Sequence, residues 1–195
     1  YISPVNEPFW VWNGGQEGCH YRPSSCRKGL PAFVKELDGR KTLDDVRLSG
    51  CENGDIRWFN KSYSRAVLGD PLVRTRLGAL DIHSYCLHMP IPFFNNRMSF
   101  LKRFAKWMSK NYPDVPVNMS EWTHMQGGRD KGMDSALVTA NVMYEDLSVL
   151  NVISWQHWIA VSEVNYCDGL IYINLDDKTF EMTKRYYVTG NFSKY

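Results

Sequence analysis

Two glutamates stand at matching places in the chain. Each closes a short apolar run and precedes a rigid or bulky residue. Asn6-Glu7-Pro8 follows Ile2–Val5, and Ser120-Glu121-Trp122 follows Val115–Met119. A carboxyl group can give a proton, take one, or attack an electron-poor carbon. Two facing each other across a gap meet the requirement for cutting a glycosidic bond. A separation of about 5–5.5 Å suits a covalent intermediate, and about 6.5–9.5 Å leaves room for a water. Pro8 is expected to hold Glu7 in extended backbone at the strand mouth. A lone glutamate at a loop start is usually solvated. A pair on apolar strands, flanked by aromatic residues, points to catalysis.

Five short apolar runs must position this pair. They begin near residues 2, 46, 80, 115 and 149: Ile2–Val5, Val46–Gly50, Leu80–Tyr85, Val115–Met119 and Val149–Trp155. A strand with its crossover helix takes about 30 residues or more, close to this spacing. The stretches between them carry helical stripes: Leu30, Phe33, Val34 and Leu37; Leu101, Phe104, Ala105 and Met108; Ala136, Ala140, Met143, Tyr144 and Leu147. Ser99 is expected to cap the second of these helices, which stops at Asn111-Tyr112-Pro113, and Asp70-Pro71 should start another. Parallel strands with intervening helices give an α/β class, either an open doubly wound sheet or part of a (β/α)8 barrel. Gly14-Gly15 and Gly127-Gly128 lack a phosphate-loop pattern, which weakens a nucleotide-binding reading. In a barrel the chemistry sits at the C-terminal strand ends.

The 195 residues carry a net charge of +2, from 23 basic and 21 acidic side chains, so a polyanion or a membrane surface is not the expected partner. No apolar run approaches a membrane span. Cys19, Cys26, Cys51, Cys86 and Cys167 form no CxxC pair and read as plain buried thiols. His83 and His88 do not make a short-spaced ligand pair, so neither metal nor cofactor is expected. Aromatic residues are 14% of the chain, enough for stacking on sugar faces as well as for a core. Asn60-Lys61-Ser62 and Asn191-Phe192-Ser193 fit the N-glycosylation pattern.

The segment Ser3-Pro4-Val5-Asn6-Glu7-Pro8, with Gln16-Glu17-Gly18-Cys19 after it, resembles the acid/base segment of glycoside hydrolase family 30, in clan A of the glycosidases. Met119-Ser120-Glu121-Trp122 is similar to that family's nucleophile strand. Trp155-Gln156-His157-Trp158 through Gly169-Leu170-Ile171-Tyr172 is similar to its last barrel strand and the following loop. Thr183–Tyr187 and Gly190–Tyr195 resemble the final barrel helix. The resemblance implies that residues 1–195 are a fragment of a (β/α)8 TIM barrel covering strands four to eight, without strands one to three or the side β-sandwich. It implies a retaining β-glycosidase, secreted or periplasmic, with a carbohydrate partner and no nucleic acid. Glu121 would be the nucleophile, Glu7 the acid/base, and Asn6 a ligand of the sugar 2-hydroxyl. Within that frame Tyr85 is expected to donate to Glu121, and His83, on the same strand face, to line the pocket. Trp155, Trp12 and Trp122 are candidate stacking platforms, and His157 and Trp158 candidate rim residues. Glu52 reads as a substrate contact or a solvated side chain. The motifs lean toward an endo-β-1,6-galactanase-like substrate. A glucosylceramidase-type hydrolase, a metal-dependent hydrolase and a non-catalytic sugar-binding fragment are the alternatives.

Overall fold

The computed structural model describes residues 1–12, 20–57, 60–86 and 96–195. Gly14-Gly15, the Gln16–Cys19 segment and His88 lie outside the described residues. Five strands run parallel in chain order: β1 (Val5–Asn6), β2 (Cys51–Glu52), β3 (Leu80–His83), β4 (Val117–Trp122) and β5 (Ser154–His157). β1 pairs with β2, and β3–β4–β5 form a continuous ladder. Parallel bridges Ile2↔Leu48, Leu48↔Leu77 and Asn53↔Ile82 join the two groups into one arc. This is the strand–helix alternation of a (β/α) barrel, and the arc does not close on itself among the described residues.

The helices cover the outer face. α1 (Pro23–Asp38) buries Cys26, Leu30, Val34 and Leu37, while Phe33 is only half-buried. α2 (Asn60–Leu68) and α3 (Pro71–Arg76) follow β2. Asp70 caps α3, its side chain accepting from the backbone N–H of Leu72 and Val73 at 2.9 and 3.2 Å. α4 (Arg97–Asn111) buries Leu101, Phe104 and Met108. Its cap is Asn96, not Ser99: the Asn96 side chain accepts from the Ser99 backbone N–H at 3.0 Å. Both residues are good caps, and the Asn sets the start three residues earlier. α5 (Met133–Glu145) buries Ser135, Ala136, Thr139, Val142 and Met143. Tyr144 and Leu147, expected on its buried stripe, are exposed. Asn60 is buried at the first position of α2, so that glycosylation triplet is inaccessible, whereas Asn191 is exposed.

Strand boundaries differ from expectation: β1 (Val5–Asn6) and β2 (Cys51–Glu52) sit at or just past the ends of the runs Ile2–Val5 and Val46–Gly50, and two further boundaries have a local cause. The apolar run 149–155 begins as helix: a π-turn over Asp146–Leu150 continues α5, Asn151 turns it at φ +53°, and β5 starts only at Ser154. A short apolar run cannot by itself distinguish a helix end from a strand. β4 extends to Trp122, so Glu121 lies within a strand and not after it. The expected run stopped at Met119, before the polar Ser120 and Glu121. Asn118 and Ser120 instead bond to neighbouring strands. Asn118 Nδ2 donates to Asp81 at 2.8 Å and Ser154 donates to Asn118 Oδ1 at 2.8 Å.

Between β5 and the final helix α6 (Lys184–Lys194) lies a second small sheet with no counterpart in the expected elements. It comprises β6 (Val161–Ser162), β7 (Ile171–Asn174) and β8 (Thr179–Met182), with β6–β7 parallel and β7–β8 antiparallel. Cys26, Cys51 and Cys167 are buried thiols, Cys86 is half-buried, and Cys19 lies outside the described residues. No helix among the described residues is long and apolar enough to cross a membrane.

Candidate active site

Glu7 follows β1, and its backbone N–H donates to the Glu52 carbonyl at 2.7 Å, which fixes it against β2. Its φ is +43°, so the extended conformation expected from Pro8 is not adopted. A non-glycine residue in this left-handed region costs on the order of 1–3 kcal/mol, and the surrounding packing must impose it. Part of that packing is Gly54. A Cβ there would come within 2.5 Å of Trp10 Nε1 and 2.6 Å of Glu7 Oε1, so any larger residue just after β2 would push both side chains aside.

Glu121 enters from β4, beyond β2 and β3 along the arc. The register of β3 against β4 slips between Ile82 and His83, and that of β4 against β5 between Met119 and Trp122. This irregularity turns both Ser120 and Glu121 toward the residues inside the arc. Ser120 donates to Glu52 Oε2 at 2.7 Å, and Glu121 Oε1 accepts from the Tyr85 hydroxyl at 3.2 Å.

His83 joins the two glutamates. It is fully buried. Its Nδ1 lies 2.8 Å from Glu7 Oε1 and 3.7 Å from Glu121 Oε1, and its Nε2 lies 3.1 Å from Glu52 Oε2. Burial alone would lower the imidazole pKa. Hydrogen bonds to Glu52 and Glu7, with the charge of Glu121, outweigh it and push it up to about 9. Burial raises the Glu121 carboxyl above its ordinary value, and Glu7 and Glu52 add to the rise. The His83 cation and the Tyr85 hydroxyl oppose it. For Glu52 burial also acts upward, but His83 and Ser120 bring the net below the ordinary value. Burial and the facing carboxylates keep Tyr85 protonated well beyond the usual phenol range.

One oxygen each from Glu7 and Glu121 and a ring nitrogen of His83 lie within 4.8 Å of one another. This triad also has the donor types of a cation site, which spacing in the sequence did not indicate. With Nδ1 and Nε2 each bonded to a carboxyl oxygen and the ring protonated below about pH 9, His83 offers no free lone pair near neutrality, so a cation would have to displace a proton.

Glu7 and Glu121 open onto a cavity of about 870 Å³, a volume typical of small-ligand sites. Asn6 and Tyr85 share its wall, and Trp10, Trp12, Trp158 and Tyr166 supply aromatic faces. Trp12 Nε1 also donates to the Glu7 carbonyl at 3.3 Å. Not every expected contact reaches this space. His83 lies beneath it. Trp122 is buried behind the wall, 6.0 Å from the Trp155 ring. Trp155 turns outward and donates to buried Asp146 at 3.0 Å. Strand alternation places both rings on the helix side, so the expected stacking roles of Trp122 and Trp155 do not match their positions. His157 is also behind the wall, its Nε2 donating to the Asp168 carbonyl at 2.8 Å. Glu52, read as a substrate contact or a solvated side chain, is largely buried and bonded within the protein. It anchors His83 and Ser120. Trp10, Gly54, Tyr166 and Asp168 were not expected. Trp10 sat in view within the aromatic cluster after Pro8, but nothing in the pattern around Tyr166-Cys167-Asp168 marked it.

The model of O-glycosyl hydrolase family 30 matches residues 59–172, more than half of the chain, and the protein belongs to that family. Among solved structures, a conserved exported protein from Bacteroides fragilis aligns with a TM-score of 0.78 at 21% identity, over 99% of this chain and 45% of that one. The catalytic domain of a family 30 xylanase from Talaromyces cellulolyticus gives 0.69 at 12% identity, over 98% and 40%. An endo-β-1,6-glucanase gives 0.67 at 18% identity, over 98% and 42%. The chain thus spans less than half the length of these structures, and the likeness carries the fold. No curated protein matches the chain.

Proposed function

We propose that this chain carries the reacting residues of a retaining β-glycosidase acting on a polysaccharide. The observation that supports this most is the approach of Glu7 and Glu121 to within 4.8 Å around His83, at the floor of an aromatic-walled cavity. Inversion would need a wider gap for water. In the first step a Glu121 oxygen bonds to the anomeric carbon while the glycosidic C–O bond breaks. Glu7 gives its proton to the departing oxygen. In the second step water attacks the same carbon, Glu7 takes the water's proton, and Glu121 leaves as a carboxylate. His83 and Tyr85 favour the ionised form that Glu121 needs for attack. Asn6, on the wall beside Glu7, serves as a sugar-hydroxyl ligand, and Trp12 and Trp158 as stacking faces.

β-1,6-Galactan is the leading substrate on this endo-β-1,6-galactanase-like reading, from the resemblance of the Gln16–Cys19 and Trp155–Trp158 segments. Export from the cytoplasm goes with it, since a polysaccharide is met there and the fold is shared with an exported protein. The test uses Glu121→Gly and Glu7→Gly in the protein that carries this chain, each with azide. The reading expects turnover restored at Glu121→Gly with inverted anomeric configuration, and a glycosyl azide of retained configuration at Glu7→Gly. The reverse pattern overturns the roles, and no rescue at either overturns the mechanism. Screening β-1,6-galactan, β-1,6-glucan, xylan and glucosylceramide then tests the substrate.

A further inference from the structure

The cavity holds an acidic side chain that the hydrolytic steps leave unused. Asp168 is on its wall with Trp158 and Tyr166, in the segment between β5 and α6. It is 6% exposed, and its Oδ1 is buried without a hydrogen-bond partner among the described residues. An unpaired buried carboxyl oxygen is costly. Where such a group faces a cavity, a ligand that donates hydrogen bonds relieves the cost.

The backbone around Asp168 is held in place before any ligand arrives. His157 Nε2 and the Ile159 N–H both donate to its carbonyl, at 2.8 and 2.9 Å. Thr123 Oγ1 donates to the Cys167 carbonyl at 3.3 Å, and Arg185 Nη2 to the Gly169 carbonyl at 2.6 Å. Burial lowers His157 to about 4, so at neutral pH it places no cation beside the carboxylate. The described wall contains Glu7, Glu121 and Asp168 and neither Lys nor Arg. Sugar hydroxyls are donors that a carboxylate binds strongly. A uronate would bring a further negative charge beside Asp168, where the described wall holds no Lys or Arg.

We propose that Asp168 forms a subsite for an uncharged glycosyl unit, accepting hydrogen bonds from its hydroxyl groups, and that its charge disfavours uronate-bearing chains. This rests on the glycosidase reading and adds the class of sugar to it. The test measures calorimetric binding to the protein carrying this chain, with Glu121→Gln as the parent to stop turnover. The probes are β-1,6-galactotriose, β-1,6-glucotriose, xylotriose and a glucuronate-substituted xylotriose. Asp168→Ala is expected to weaken the preferred neutral sugar by about ten- to hundredfold. Asp168→Asn, which keeps the shape and removes the charge, is expected to raise uronate binding relative to neutral by about tenfold or more. Neutral binding within twofold of the parent in Asp168→Ala, a parent that prefers the uronate, or no sugar binding at all overturns the subsite. Azide rescue at Glu121→Gly separates the two claims. Rescue with silent Asp168 variants sinks the subsite alone. Failed rescue with Asp168-dependent binding sinks the hydrolytic steps alone.

Discussion

His83 meets three carboxylates from three different strands or strand ends: Glu7, Glu52 and Glu121. Its charge is what lets them sit so close together. Replacing it with glutamine removes the cation that opposes the rise at Glu121, so the acid limb of the kcat/KM profile should move to higher pH. The imidazole pKa is raised in the fold, from its ordinary value of 6.5 to about 9. Its stabilisation is therefore complete below about pH 6.5 and lost as pH rises through 9. Melting temperature should fall over that window in the parent and vary less in His83→Gln, as a pH series of thermal melts would show. Tyr85→Phe removes one donor to Glu121, and kcat/KM should drop about ten- to hundredfold while the melting temperature changes little. An unchanged rate would leave Tyr85 with a packing role only.

At the level of elements, the site depends on close approach between neighbouring strands. Gly54→Ala would drive a methyl group into Trp10 and Glu7, so kcat should fall by at least about tenfold, and the Trp10 fluorescence environment should shift. Asp70→Ala is the control. Losing the α3 cap should cost about 1 kcal/mol of stability and leave kcat unchanged, read by urea melts and steady-state rates. The strand–helix rhythm and the α3 start were legible because 34–44-residue spacing, apolar stripes and an Asp-Pro cap are local signals. The ends of β4 and β5 were not. Polar Asn118 and Ser120 are satisfied by Asp81 and Glu52 from strands far away in sequence, and the slipped register that aims Glu121 is a property of paired strands. For the same reason Glu52, isolated after an apolar run, looked like a solvated carboxylate, when His83 and Ser120 were its partners. Trp122 and Trp155 were misplaced because aromatic character alone does not tell which face of a strand a ring takes.

Across the molecule, β3 and β4 are the inner strands of the arc, while β1 pairs on one side only. Amide exchange should therefore be slowest at Leu80–His83 and Val117–Trp122, and faster at Val5–Asn6 and Thr179–Met182. Equal protection of β1 and β4 would contradict this picture. Arg185 has a wider bearing. It is fully buried, and its guanidinium ties the Asp130 and Gly169 carbonyls, Ser135 Oγ and the Tyr172 hydroxyl together, so one side chain of α6 joins β7 and the loop before it to the start of α5. Glu7, Glu52, His83 and Glu121 bond to one another and not to that clasp. On the glycosidase reading, exchanging the stretch between these anchor points is therefore expected to remodel the cavity wall at Tyr166 and Asp168 while leaving Glu7, Glu52, His83 and Glu121 in place.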